Sequence, residues 1–327
     1  MPAFVSIALL IGEAPVTVPQ AVIDAVQRIE VAQSDHGQSG FQISLQAPKG
    51  SASTSGYGFV GDDMFRVFNR VIIEATILGQ SNILIDGVIT HQQLKPSPRP
   101  EASLFTITGE DLSVLMDLDE KIIQYPNQDE ASIVKTVLGR YSQYGITPDV
   151  KDQPVQYTPD KNEYVSVQRG TDLQYVRSLA ARFGYIFYIK PGRQPQSNTA
   201  YWGPPIIETT PQNAISLDLG TQTNTGNDAW FEYNGLAATK VFGSVQDRIT
   251  DEVSSITVES AKTFQGLSQE PTLTNQKKVR NSITLTAERR TSVVVAARRS
   301  IARTQGARSA GQGRRAWGEG SAGTSNR

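Results

Sequence analysis

The chain of 327 residues lacks side chains on which many active sites depend. It contains no cysteine, which excludes disulfides, thiolate nucleophiles and cysteine metal ligands. It has two histidines, His36 and His91, so a multi-histidine metal site or a histidine-based triad has very little to draw on. We expect each histidine to be a surface residue in a loop or a strand.

Long apolar runs are also missing, because no stretch approaches the roughly 20 apolar residues of a membrane-spanning helix. The apolar start, AFVSIALLIG, has no basic residue ahead of it, and the first charge is Glu13. This pattern predicts an N-terminal strand rather than a secretory signal. The length is enough for two domains with cores of their own.

Positive charge is scarce except near the end of the chain. From residue 277 onward there are twelve basic and two acidic residues, a net charge of +10, which leaves −11 for residues 1–276. Residues 291–327 are dominated by Ala, Gly, Ser and Arg, and we expect a basic tail that is flexible or is ordered by a partner. Clustered arginines suit nucleic-acid phosphates. The tail has a single aromatic residue, Trp317, and no DNA-binding motif, which favours a protein partner.

Motifs for catalysis are weak throughout. The glycine-rich GSASTSGYGFVG lacks the GK[ST] element of a phosphate-binding loop, and no serine lies in a GxSxG elbow. Acidic residues cluster at 117–120 and at 129–130, and paired carboxylates can hydrolyse glycosidic bonds. Here solvation and the helix dipole account for them. The sequence therefore predicts no catalytic residue, no cofactor and no metal ligand, and an all-β hydrolase using Asp111, Asp117 or Asp119 remains the alternative.

The order of predicted elements is strands, then helices, then strands. In residues 1–108 most runs alternate or are β-branched, and short turns such as 79–82 separate them, which indicates an antiparallel barrel or a strongly curved sheet. EDLSVLMDLDEK and NQDEASIVKTVLGRYSQYG predict two helices, the second capped by Asn127 and closed by Gly145. Residues 191–213 read as a proline-rich connection. Further strands are predicted at AISLDLG, AWFEYNG, ATKVFGSVQD, SSITVES, NSITLTAE and TSVVVAA.

The clearest local signal is VSVQRGTDLQYVRSLAARFGYIFYIK, residues 165–190. Thr171 and Gln174 have the spacing of a capping box, and Asp172 suits the positive end of the helix dipole. The apolar residues then recur at helical spacing, and Gly184 stops the helix before a β-branched and aromatic strand. The predicted core face consists of Leu173, Val176, Leu179, Ala180 and Phe183.

Several of these stretches resemble one family. TDLQYVRSLAARFGYIFYI is similar to the T-D-hydrophobic-x-[FY] segment of phage late control D and tail baseplate hub proteins, whose relatives include hub domains of type VI secretion spikes and contractile injection systems. IDGVITHQQL and SLFTITGEDLSVLMDLDEK resemble that family's G-x-[IV] strand and its T-[IV]-x-G-x-D-L-S motif. The resemblance covers roughly residues 5–260. The family's glycine-rich, aromatic closing motif is not found after residue 280.

The resemblance implies a mainly β fold with an α insertion (α+β), in which two tube-like antiparallel β-barrels are joined by an α-rich region. The first barrel would take residues 1–108, the α-rich insertion 109–190, the second barrel 191–290 and the basic tail 291–327. Such hubs are structural proteins of the virion tail baseplate and are made in the host cytoplasm. Three copies form a pseudo-hexameric ring that joins the hexameric tail tube to the trimeric spike.

The resemblance also implies partners rather than substrates. These are two further copies in a homotrimer, the tail tube protein, the spike protein, other baseplate proteins and the tape measure protein, with no small-molecule substrate. A hub carrying an effector that acts on cell-wall polysaccharide is a further alternative. Arg177 and Arg182 fall off the apolar stripe of their helix, so we expect them to face solvent or a neighbouring subunit.

Overall fold

The structure is a computed structural model that describes residues 5–35, 37–48, 56–77, 79–99, 102–152, 165–206, 239–247, 253–259, 278–281 and 285–287. The strands predicted at AISLDLG, AWFEYNG and TSVVVAA, and the basic tail, lie outside these residues. The chain divides into two compact units. One comprises 1–180 with 185–203, and the other comprises 181–184 with 204–327.

The described elements are mainly strands. Eleven of the sixteen described strands and all three α-helices of the described ranges fall before residue 192. In chain order the elements are β1 (Val5–Gly12), β2 (Val16–Thr17), α1 (Gln20–Ala25), β3 (Val26–Ala32), β4 (Gly40–Gln46), β5 (Arg70–Ile77), β6 (Gln80–Lys95), β7 (Leu104–Asp111), β8 (Glu120–Tyr125), α2 (Glu130–Gly139), β9 (Ile146–Val150), β10 (Ser166–Thr171), α3 (Asp172–Phe183), β11 (Ile186–Pro191), β12 (Asn198–Gly203), β13 (Thr239–Asp247), β14 (Val253–Glu259), β15 (Lys278–Asn281) and β16 (Leu285–Ala287). Short 3-10 turns occupy Asp63–Phe65, Leu112–Met116 and Ser142–Tyr144.

A seven-stranded antiparallel sheet dominates the first unit, in the order β2-β1-β5-β6-β7-β4-β3. The 16-residue strand β6 serves two neighbours in succession. Its residues 80–88 pair with β5, whereas its residues 87–95 pair with β7. Because the two pairings barely overlap, the sheet turns a corner near Gly87, and both halves contribute to one core.

Two glycines make this corner possible. A Cβ atom at Gly87 would lie 2.1 Å from the carbonyl oxygen of Glu110. A Cβ atom at Gly109 would lie 2.3 Å from the carbonyl oxygen of Val88 and equally close to the ring of Phe41. Since real Cβ atoms do not approach so closely, only glycine permits the strands to pass each other here.

The core of the sheet is formed by alternate residues of strands from both halves. β4 and β7 alternate strictly between buried and half-buried positions, as the sequence pattern predicted. Phe65 packs edge-on against Phe105, with ring centroids 5.8 Å apart, and closes one side. The buried members are Leu9, Ile11, Val18, Val22, Phe41, Ile43, Leu45, Ala47, Phe65, Val71, Ile73, Ile85, Ile89, Phe105 and Ile107.

The large sheet is open within the residues that the structure describes. β3 and β1 lie towards its two ends and do not pair with each other. β3 carries a register shift between Val26 and Arg28 and an exposed Arg28–Glu30 ion pair, both of which discourage further pairing at an edge. In the same described ranges, a strand pairs with the outer side of β1 only near its end, where β2 pairs with Leu10 and Ile11.

Two smaller sheets, α2 and most of α3 complete the first unit. β8 and β10 form an antiparallel ribbon, and β11-β12-β9 form a sheet in which β12 and β9 are parallel. The predicted core face of α3 is confirmed at Leu173, Val176 and Leu179, whereas Phe183 is half-buried and Tyr175 is an additional buried residue. Gly184 has a φ of +67°, as its predicted role at the helix end requires.

Several local predictions in this region are wrong. The connection predicted for 191–213 contains β12, whose Trp202 is fully buried. EDLSVLMDLDEK is not one helix, because it contains the end of β7, a 3-10 turn and the start of β8. The cap of α2 is Asp129, whose carboxylate accepts from the Ser132 amide at 2.7 Å, rather than Asn127.

In the second unit the described strands form one small sheet. β13 pairs antiparallel with β14 and parallel with β15 and β16. The strands predicted at ATKVFGSVQD and SSITVES are therefore confirmed, and NSITLTAE contributes to β15 and β16.

Candidate assembly site

The two predicted interface residues lie on α3. Arg177 is half-buried, and its Nε atom is buried without a hydrogen-bond partner. Its charge lies close enough to Glu110 to favour the ionised form of that carboxyl group. Arg182, in the last turn of the helix, is also half-buried. Both side chains are thus less exposed than the helical pattern indicated.

At the start of α3, the carboxylate of Asp172 is fully buried and is the centre of a polar network. It accepts hydrogen bonds from Gln168 Nε2 at 2.6 Å, Lys121 Nζ at 2.7 Å, Tyr141 Oη at 2.8 Å and Arg140 Nη1 at 3.0 Å. These donors come from β10, β8 and the segment after α2. A buried carboxylate is tolerated only when it is paired and hydrogen-bonded, so this network fixes four elements to one another.

Tyr125 closes the same network from the end of β8. Its hydroxyl donates to Gln168 Oε1 at 2.7 Å and accepts from Arg140 Nη2 at 3.1 Å. Its ring stacks on Tyr175 of α3, with centroids 5.9 Å apart. The ribbon is therefore attached to α3 through both polar and aromatic contacts.

The pKa values of two groups in the network reflect these contacts. Burial by itself raises the pKa of Asp172, but hydrogen bonds from Lys121, Gln168 and Tyr141, with the charge of Arg140, lower it below its usual value. Burial and the hydrogen bond to Asp172 raise the pKa of Tyr141. The shifts favour the ionised carboxylate of Asp172 and the protonated hydroxyl of Tyr141, which are the forms that make these hydrogen bonds.

The predicted cap of α3 is present. The backbone N–H of Gln174 donates to Thr171 Oγ1 at 3.2 Å, and the Thr171 hydroxyl also hydrogen-bonds to the Asp117 carboxylate. Asp117 is therefore a partner of the cap.

Asp111 likewise has a structural role. Its carboxylate accepts from the Ser39 amide at 2.6 Å and from the Ser113 amide at 2.8 Å, and so caps the 3-10 turn that follows β7. Asp119 is exposed. Glu110, which sequence analysis did not single out, has a pKa raised by burial and by the charges of Asp111 and Asp117. These carboxylates lie near the junction of β7, the turn and α3.

A second buried ion pair joins the large sheet to the small β11-β12-β9 sheet. Arg70 of β5 binds Asp86 of β6 with two bonds, of 2.6 and 2.8 Å. Asp86 also accepts from Asn198 Nδ2 at 2.8 Å and from the Gln196 amide at 3.2 Å. Its side chain is 1% exposed, so this pair is shielded from water.

A cleft of about 340 Å³ lies beside this ion pair, between the β3–β4 connection and β11. Its walls include the apolar residues Leu84, Ile85 and Ile189. Asp86 and Asp111 also line it, but their oxygens are already bound to protein donors. The cleft is therefore a weak candidate for acid–base chemistry.

Several apolar side chains are exposed at positions that the sequence pattern did not single out. Val5 and Ile7 at the start of β1 are 58% and 47% exposed, and the neighbouring Ile77 of β5 is 47% exposed. On the β8–β10 ribbon Ile122 is 82% exposed. Alternation predicts strands but cannot say where a core ends, which is why these positions resembled buried ones.

The described residues show no cluster of three or more His, Asp or Glu side chains that could hold a metal ion. His91 is exposed on β6, and His36 lies outside the described ranges. Among the same residues no helix is long and apolar enough to span a bilayer.

Comparisons with known proteins identify solved structures that have a similar fold. No protein-family model and no curated protein matches the chain. A tail protein from Neisseria meningitidis MC58 is similar in structure, with a TM-score of 0.52, 11% identity and coverage of 95% of this chain and 77% of that one. The 43 kDa tail protein of prophage MuSo2 from Shewanella oneidensis has a TM-score of 0.52, 13% identity and coverage of 92% and 78%. The chain therefore has the fold of these tail proteins, in agreement with the resemblance in its motifs.

Proposed function

We propose that the chain is a structural baseplate hub of a phage tail or a tail-like contractile injection machine. The main support for the proposal is that the residues which carry the family resemblance have structural roles in this fold. Gly87 and Gly109 form the sheet corner, Asp111 caps the turn, and Thr171 and Asp172 fix α3. The motifs thus encode a scaffold, and two tail proteins share its fold.

The proposal includes the finer architecture that the resemblance implies. Two tube-like barrels, from residues 1–108 and 191–290, would be joined by the 109–190 insertion. Three copies would form a pseudo-hexameric ring between the hexameric tail tube and the trimeric spike. Symmetry matching of this kind requires extensive complementary surfaces rather than a reaction centre.

Cosedimentation tests this function. Particles from an induced producing culture would be pelleted and their proteins quantified by mass spectrometry. We expect the chain to travel with tube and sheath proteins at about half the copy number of one hexameric tube ring, as three copies per particle require. Complete particles that pellet without the chain would overturn the proposal.

Arg177 and Arg182 remain proposed contacts of the ring. Because Arg177 is close to Glu110, reversing its charge would also disturb the fold. Arg182→Glu is the cleaner variant, and Arg169→Glu on the exposed outer face of β10 is its matched control. Loss of the ring in Arg182→Glu alone would support the contact, and an intact ring would remove Arg182 from it.

The hydrolase alternative finds less support in the geometry. Asp111 and Asp117 are held by the Ser113 amide and by the Thr171 hydroxyl. Their positions are explained by the local fold, so we do not propose a catalytic role for them.

A further inference from the structure

Among the residues that the structure describes, the start of β1 has no strand paired on its outer side. The direction of its backbone groups can be deduced. Leu9 accepts a hydrogen bond from the Val18 amide through its carbonyl oxygen, so the polar groups of Leu9 point away from β5. Backbone groups alternate in direction along an antiparallel strand. The N–H and C=O groups of Val5 and Ile7 therefore also point outward, where the described part of the chain offers them no partner.

This edge lacks the usual protection against pairing. The segment Val5–Gly12 carries no charged residue, proline or register shift in its pairing with β5. The other end of the sheet differs, since β3 has the register shift and the Arg28–Glu30 pair. An uncharged, apolar and unpaired edge is a template for another strand.

The chemistry of the edge specifies its occupant. A strand added beside Val5–Ala8 must place apolar side chains next to Val5, Ile7 and Ile77, and small uncharged side chains on the opposite face. β1 itself has this alternation, as Val-Ser-Ile-Ala. The edge is thus complementary to the same edge of a second copy, laid antiparallel across a twofold axis.

We propose that two copies of this chain pair through β1, with Val5 of one copy opposite Ile7 of the other. This register uses the outward N–H and C=O groups of both residues and places Ser6 opposite Ser6 at the twofold axis. It also joins the exposed Val5, Ile7 and Ile77 of both copies into one apolar strip. A twofold contact joins two copies only, so it is separate from the proposed threefold ring.

The absence of cysteine gives a direct test on the full chain. In the proposed register the two Ser6 residues form a non-hydrogen-bonded pair, with Cα atoms about 4.5 Å apart, which is within the range of a disulfide. Under mild oxidation Ser6→Cys should give a covalent dimer. Ser142→Cys, at another exposed serine, should remain uncrosslinked.

Sedimentation equilibrium provides the second test. The wild type should dimerise reversibly, and Ile7→Lys should raise the dimer Kd at least tenfold, whereas Ile122→Lys at the exposed β8 position should leave it unchanged. Ile7→Pro removes an outward N–H group and the Ile7 side chain, leaves the hydrogen bonds to β5 unbroken, and should also weaken the dimer. Thermal unfolding verifies that each variant is folded.

Two results would overturn the proposal: a wild type that stays monomeric, or association that Ile7→Lys and Ile7→Pro do not change. Absence of the β1 dimer in a chain that still travels with tail particles would overturn the β1 contact and leave the hub function standing. A chain that forms the β1 dimer but is absent from tail particles would support the β1 contact and overturn the hub function.

Discussion

At the scale of single residues, Asp172 shows how one carboxylate can organise a region. Its side chain is fully buried, and its partners Lys121 and Arg140 are about one-third exposed. Sequence reasoning assigned it only a favourable interaction with the helix dipole. Three of its four donors, Lys121, Arg140 and Tyr141, lie 31 to 51 residues away along the chain, so only the tertiary structure brings them to Asp172.

We expect Asp172→Asn to destabilise the protein at pH 7 by about 3 kcal/mol, because two cations lose their buried acceptor. The folded pKa of Asp172 is lowered, so its stabilisation is present above the unfolded pKa of about 3.9 and is lost as pH falls through the folded pKa. The variant should therefore lose less stability than the wild type on acidification below about pH 4. Urea unfolding at pH 7 and below pH 4 measures both effects, and Asp119→Asn is the exposed control.

Glu110 should behave in the opposite way. Its pKa is raised by burial and by Asp111 and Asp117, so the folded state favours the protonated form and loses stability as pH rises above about 4.5. Glu110→Gln should melt at a higher temperature than the wild type at pH 7, and the difference should shrink at pH 4. A lower melting temperature at pH 7 would show instead that attraction to Arg177 dominates.

At the scale of elements, the corner of the large sheet depends on residues without side chains. β6 turns from β5 to β7 where Gly87 and Gly109 allow backbone to approach backbone. The bulge between Ile89 and His91 adds to the change of direction. Both glycines lie in motifs that are visible in the sequence, but it is the close contact between strands that requires glycine at these positions.

Gly109→Ala should therefore destabilise the protein by about 3 kcal/mol or more, because the new methyl group overlaps Val88 and Phe41. Gly139→Ala, in α2, is the matched control, since a Cβ atom there meets nothing within 4 Å. In a helix this change should stabilise by about 0.5 to 1 kcal/mol. Equal effects in denaturant unfolding would contradict the account of the corner.

At the scale of the molecule, a buried ion pair lies between two sheets of the first unit. The Arg70–Asp86 pair links β5 and β6 to β12 through Asn198. Such a pair contributes little net stability compared with apolar packing, but breaking it leaves a buried charge.

Arg70→Met should lower the free energy of unfolding by about 3 kcal/mol, because Asp86 remains buried without its cation. Amide exchange in β12 should increase as well. Arg66→Met removes the exposed Arg66–Asp63 pair and should change stability by less than about 0.5 kcal/mol. If both variants lose the same stability, the buried pair does not connect the two sheets.

The sequence by itself determined the elements whose signals are local. The α3 stripe, its Thr171 cap and the Gly184 stop were readable because neighbouring residues create them. β12 was missed because the prolines and polar residues on either side of it resemble a connection, while burial of Trp202 comes from distant residues. Tertiary structure alone decided the Asp172 and Asp86 networks, the half-burial of Arg177 and the lack of a described strand beside the start of β1, because each depends on which residues meet across the fold.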